Sequence, residues 1–322
     1  MATDKYKQML IAAKGKTTPN SRDLQLDGLK FLMIYCVVLG HLKYNDYGIE
    51  LTKIIYSFHM PVFIFLSGYF TSLNSSKNKQ VSWFKKTLLI YVIAQLGHIF
   101  LEILMGKKIG FNILFSPRFA LWYLVSLILW RFLIWNVFNK TNDKLLIVAS
   151  ITLAIFSGVI PIGNTFSFQR TFAFFPYFVL GVIIKRRQLM DRIQRINIWL
   201  AIAIITIGFL ISRHLPLFQP RDYYTSLNDI ALRIGQTTLG VFLCFSIIKI
   251  TKCTEFIKSF SSLGLFTLWI YVGHTYFVVL ERNYLPQIGI SYNIVFAQIL
   301  SAVYCAIFIM LAKLFKIVGV SK

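Results

Sequence analysis

The feature that most constrains this chain is a succession of apolar runs, each close to the length that a helix needs to cross a bilayer. The runs fall near Leu24–Leu42, Leu51–Leu73, Thr87–Met105, Phe119–Phe138, Leu145–Ile160, Phe168–Ile184, Ile196–Ile211, Asn228–Ile248, Leu263–Leu280 and Tyr292–Phe315. A spanning helix takes roughly 17–25 residues, and two of the runs sit at or just below the short end. Only 14% of the residues are charged and 57% are apolar, far from the mix of a soluble domain. The expectation is an all-α polytopic integral membrane bundle of about ten transmembrane helices. Met1–Ser21 is polar and basic and reads as a cytoplasmic N-terminal tail rather than a signal peptide, leaving 22–318 as the transmembrane domain. Pro61 and Pro176 are expected to kink their helices.

The loops set the orientation. With the N-terminus in the cytoplasm, 22 of the 34 Lys and Arg fall in inner segments, seven in outer segments and five within helices. This inside excess puts both termini in the cytoplasm. It also accounts for the net charge of +22, which on a soluble protein would point to nucleic acid. Here the expected partner of those cations is anionic membrane lipid, not nucleic acid. Cys36, Cys244, Cys253 and Cys305 have no metal-site or redox spacing, and no nucleotide-binding loop or zinc motif is present. No metal is expected.

The chemistry is carried by polar residues inside apolar runs. Asp27, Lys30 and His41 share the first run, where a charged side chain costs roughly 2.5–3.5 kcal/mol at mid-helix. At 100° per residue Lys30 and His41 are three turns plus about 20° apart, and Asp27 lies about 40° to the other side of His41. All three occupy a wedge of about 60°, with Lys30 and His41 separated by ~16 Å along the axis. Other polar residues cluster toward the outer half: His59, His98 with Glu102 a turn later, Arg118 with Trp122, Arg170, Asp229 with Arg233, and Tyr271 with His274. His98, Arg131, Arg170 and Arg233 each admit a plainer reading as a bundle hydrogen bond or a snorkelling side chain. Three polar groups on one wedge of an apolar helix are harder to explain by packing.

The string Leu26-Asp27-Gly28-Leu29-Lys30, followed after ten residues by His41, resembles the opening signature of membrane acyltransferase family 3. Similar stretches follow in family order: Ser57-Phe58-His59-Met60-Pro61 running on to Phe70, Leu121-Trp122-Tyr123-Leu124, Phe175–Gly181, and Leu268-Trp269-Ile270-Tyr271-Val272-Gly273-His274. The first two look most like the fucose acetylase-type and polysaccharide O-acetyltransferase branch. The resemblance implies transfer of an acyl group, usually acetyl from acetyl-CoA, to a sugar hydroxyl of a cell-envelope glycan, in the bacterial inner membrane. Lys30 departs from the arginine of many members, keeping the charge without the bidentate geometry. No hydrolase-like domain follows the last run, so acceptor binding is expected to fall to the membrane domain and its loops.

A histidine, with an ordinary pKa near 6.5, suits proton removal from a sugar hydroxyl at neutral pH. His41 is therefore the expected base or transient acyl carrier, with Asp27 and Lys30 as a charge pair on the same helix face. His59, Glu102, Arg118, Trp122, Arg170, Tyr271 and His274 are the candidate acceptor-binding residues. Lys185, Arg186 and Arg187, in the densest inner basic cluster, are the candidates for the donor's phosphates. The outer segment Ser212–Leu227 is a candidate to touch the glycan. A transporter or flippase for an anionic lipid-linked sugar would share the helices and buried charges, but repeats of the transporter kind are not apparent. A membrane sensor with a degenerate site is a third class.

Overall fold

Among the described residues one α-helix falls on each of the ten apolar runs, and a further short helix, Met190–Gln194, lies between the sixth and seventh. The computed structural model describes residues 23–42, 46–108, 110, 115–138, 141–161, 165–215, 219–288 and 293–314. The helices are α1 Leu24–His41, α2 Asp46–Tyr69, α3 Lys77–Leu104, α4 Trp122–Phe132, α5 Asp143–Phe156, α6 Phe168–Arg186, α7 Ile198–His214, α8 Leu227–Cys253, α9 Thr267–Tyr284 and α10 Ile294–Leu314. The described residues contain no strand, as expected where every backbone polar group must be satisfied within its own segment. Eight helical segments are long and apolar enough to cross a membrane; α7, at 17 residues, is shorter, and α5 has 14. The basic tail 1–21 lies outside the described residues.

Local chemistry sets the ends. Asp23 caps α1 through the Leu26 N–H, Asn142 caps α5, and Asn197 caps α7 through the N–H groups of Trp199 and Leu200. Ser226 and Asp229 form a capping box at the start of α8. The helix α3 begins ten residues before the apolar run expected from Thr87, because Ser76 opens it ahead of a polar first turn and a half. A π-helical stretch, Leu133–Val137, extends α4 to the predicted length.

Inside, α1, α2 and α6 form the most buried layer. On α1 the faces carrying Leu26, Ile34 and Val38 are fully enclosed. The helices α2 and α6 cross through glycines: the backbone of Phe178 fills the space where a side chain on Gly68 would sit, and Phe65 does the same at Gly181. Close backbone approach of this kind is how helices pack tightly in a lipid environment. At one end of the bundle Lys252 forms an ion pair with Asp23, tying the last turn of α8 to the first of α1. Pro61 and Pro176 both lie inside continuous helices. Pro61 has no N–H for the Ser57 carbonyl one turn earlier, and both residues line the cavity described next.

Candidate active site

Five helix segments bring polar groups to the end of the bundle remote from the start of α1. The last turn of α1 supplies His41, the middle of α2 supplies Tyr56 and His59, and the first turn of α6 supplies Arg170. The entrance to α4 supplies Trp122, and the second turn of α9 supplies Tyr271. They surround a cavity of about 450 Å³, within the range of small-molecule sites.

The imidazoles form a cluster. The ring centroids of His41 and His274 are 5.4 Å apart, those of Tyr56 and His59 5.2 Å, and those of His41 and Tyr56 6.5 Å. Nδ1 of His59 lies 2.6 Å from the Ile55 carbonyl, and Nδ1 of His274 lies 3.0 Å from the Ile270 carbonyl. A carbonyl only accepts, so both rings carry their proton on Nδ1 and leave Nε2 with a lone pair. In His274 that Nε2 is buried without a partner. The His41 ring has no hydrogen-bond partner among the described residues, whereas its backbone carbonyl accepts from Arg282 at 2.6 Å. The Tyr56 hydroxyl donates to the Gly40 carbonyl at 3.0 Å, so α2 and α9 both hold the end of α1 in place.

Aromatic faces make much of the remaining wall. Trp122 stacks on Phe174 at 5.4 Å, and the Arg170 guanidinium lies over the Trp122 ring at 5.6 Å. The Tyr271 hydroxyl donates to the Ala120 carbonyl. That carbonyl is presented by a strained backbone, since Phe119 holds φ at 47°, a region that bulky residues avoid. Strain of this sort is retained where the surroundings over-determine the geometry.

The comparisons with known proteins fit this arrangement. A family model described as an acyltransferase domain, that of acyltransferase family 3, matches residues 23–313. The chain belongs to acyltransferase family 3. No curated protein and no solved structure matches it.

Of the residues singled out from the sequence, the acyltransferase brings His41, His59, Trp122, Arg170 and Tyr271 to the cavity wall, with His274 buried behind His41. Glu102 and Arg118 form an ion pair with each other beside the cavity, and the Arg118 N–H is bonded by Gln95 at 3.0 Å. Asp27 and Lys30 are an ion pair at 3.6 Å, as their spacing predicts, but they lie toward the other end of α1, where Lys30 faces the Phe70 ring. Between them and His41 the helix is packed with Ile34, Val37 and Val38, so the polar wedge is interrupted by apolar packing. Lys185, Arg186 and Arg187 are also at that end. Asp143 takes Arg186 at 2.7 Å and Arg187 at 2.5 Å, and Lys185 lies over Tyr69. His98 bonds Thr275 at 2.8 Å and stacks on Tyr276, the plainer reading of that residue.

Sequence reasoning passed over Tyr56, which is three residues before His59 and so shares its helix face. It also counted Arg282 only as a loop charge, whereas this residue holds the His41 backbone. Of the expected outer segment, Gln219, Pro220 and Arg221 line the cavity, and 216–218 lie outside the described residues.

Proposed function

We propose that this acyltransferase moves an acetyl or other short acyl group from acyl-CoA to a sugar hydroxyl of a cell-envelope glycan, with His41 as general base. The observation that carries the reading is the imidazole of His41, which bonds no described residue, at the wall of a sheltered, aromatic-lined cavity. The acceptor hydroxyl gives its proton to His41 as its oxygen attacks the thioester carbonyl. The tetrahedral intermediate then collapses, the carbon–sulfur bond breaks, and the departing thiolate takes the proton back from His41. The thioester is already activated, so base assistance and stabilisation of the oxyanion supply most of what the enzyme must add. His274, with a bare Nε2, packs beside His41 at 5.4 Å between ring centroids and backs the ring that faces the acceptor. Trp122 and Tyr271 offer flat faces to the CH groups of a sugar.

The charge bias of the loops supports a donor arriving from the cytoplasm, where Lys185 and the half-exposed Arg187 stand at the end of α6. Asp143 shares those arginines, so the nucleotide end of the donor would compete with an internal carboxylate. The acceptor would enter from the opposite face, that of the bacterial inner membrane's exterior. Asp27 and Lys30 fix the inner face of α1 and stand on the donor's side.

The test is purified protein in lipid vesicles with radiolabelled acetyl-CoA and envelope glycan. Label appearing in the glycan as an alkali-labile ester supports the reading. Glycan carried across the vesicle membrane without label transfer would replace it with a carrier function.

A further inference from the structure

The cavity that holds His41 is walled by five fully charged cations and, among the described residues, by no acidic side chain. The cations are Lys53, Arg170, Arg221, Arg233 and Arg282. The carboxylates on the same elements have partners of their own. Glu50 pairs with Arg213 at 2.7 Å, Asp222 accepts from the Gln219 N–H at 2.8 Å, and Asp229 is held at its helix cap by the Ser226 N–H at 2.9 Å. Glu281 is buried outside the lining.

Among the described residues one of these cations is ion-paired, and Arg282 donates to the His41 carbonyl at 2.6 Å. Arg170 makes no hydrogen bond and no ion pair among the described residues; its guanidinium meets only the face of Trp122. Arg221 reaches Asp222 at 3.9 Å, with both side chains nearly half exposed. Arg233 lies over the Tyr224 ring at 5.9 Å and donates to the backbone carbonyls of Gln219 and Asp222 at 3.5 and 3.3 Å.

A concave, low-dielectric pocket focuses this one-signed charge on whatever enters. Among the described residues Asp222, 3.9 Å from Arg221, is the one carboxylate ion-paired with a lining cation, so the cations outnumber their counter-charge and an incoming anion relieves the imbalance. A neutral sugar would not. Its hydroxyls donate protons, and carboxylates are the natural acceptors for them, yet none lines this site. Arginine, by contrast, matches phosphate and carboxylate in shape as well as charge.

We infer that the acceptor is an anionic glycan, whose phosphate or carboxylate is held by Arg170 with Arg221 and Arg233 while a neighbouring hydroxyl is presented to His41. The inference rests on the acyl-transfer reading for the role of His41, but its charge requirement is measured by binding alone. A phosphate would come from the linkage of the sugar to a lipid, and a carboxylate from a uronic acid within the glycan.

The experiment uses the full chain in nanodiscs of uncharged lipid and compares two matched pairs of probes. One pair is a hexuronic-acid oligosaccharide and its carboxyl-reduced form; the other is polyprenyl-diphosphate-linked N-acetylglucosamine and the free sugar. The expected result is that one anionic probe binds at least about tenfold more tightly than its neutral partner, a difference typical of a charge-assisted contact. The winning pair identifies the source of the charge. Arg170→Gln should erase most of the preference and Arg170→Lys restore part of it. The rim variant Arg221→Gln, which removes no buried contact, should weaken it if Arg170→Gln fails to fold.

Anionic and neutral partners binding within about twofold of each other, or not at all, would overturn the inference, as would a preference that survives both glutamine variants. Displacement of the anionic probe by adenosine 3′,5′-bisphosphate would also overturn it, by assigning the cations to the donor. Acetyl transfer to a neutral glycan would sink the charge requirement and leave the transferase standing. Tight anionic binding without transfer would do the reverse.

Discussion

Replacing Gly181 by alanine places a methyl group where α2 and α6 cross. The new Cβ would lie 2.7 Å from the Tyr69 nitrogen and 3.0 Å from the Phe65 carbonyl carbon, against the 3.4 Å at which ordinary contact starts. The shortfall of at least 0.7 Å cannot be relieved by rotating a side chain, because the atoms it meets are backbone. The two helices must part, and over-packing of this kind costs about 1–3 kcal/mol, here toward the upper end. Alanine recovers roughly 1 kcal/mol through its better helix propensity, leaving about 2 kcal/mol of net destabilisation. Gly235 on α8 is the control: it is exposed and has nothing within 4 Å of an added Cβ, so Gly235→Ala should be neutral or mildly stabilising. Gly68→Ala probes the same crossing from α2, where the new Cβ would meet Phe178 backbone at 2.9 Å. The double variant should lose less than the sum of the singles, because the helices have already parted. Cys244 and Cys305 are buried while Cys253 is exposed and Cys36 is partly exposed, so a thiol-reactive dye in detergent follows unfolding in a Cys36→Ala, Cys253→Ser background. Gly181→Ala should melt several degrees below wild type and Gly235→Ala no lower than wild type. If the two variants melt together, the packing argument at this crossing is wrong.

Other variants separate structural from functional roles. Glu102→Ala leaves Arg118 without its carboxylate; because Arg118 is about a third exposed, the cost should be roughly 1–3 kcal/mol in a thermal melt, below that of a fully buried pair. Tyr271→Phe removes the hydrogen bond to the Ala120 carbonyl and keeps the ring against Phe63, so it should cost about 1 kcal/mol and leave glycan affinity nearly intact by calorimetry. Arg186→Gln with Arg187→Gln should weaken acetyl-CoA binding severalfold if the donor's phosphates meet this end of α6, and unchanged affinity would remove the donor from it.

Much of the fold was legible because a bilayer leaves few choices: ten apolar runs gave ten helices, with ends shifted by a few residues. The start of α3 was missed because its first turns are polar and lie outside the apolar run from which it was read. The site was legible where the signal was a polar group in an apolar helix, as at His41, His59 and Tyr271. It was not legible where the deciding fact was which helices meet. Helical periodicity put Lys30 on the face of His41, but not the packing of Ile34 and Val38 that separates them. Arg186 and Arg187 looked available for a ligand until the fold brought Asp143 against them from α5. Arg282 read as a loop charge, since its value lies in turning back over a cavity formed by distant segments, whereas Arg221 fell in the outer segment already expected to touch the glycan.

The central claim is that the His41 imidazole removes the proton from the acceptor. Single-turnover transfer of radiolabelled acetyl from acetyl-CoA, in His41→Gln protein that melts like wild type and still binds acetyl-CoA, tests it most directly. General-base catalysis by a positioned side chain is worth roughly 10²–10⁴-fold, so the rate should fall by at least about a hundredfold. A His41→Gln protein that transfers acetyl within a few-fold of the wild-type rate would contradict the account.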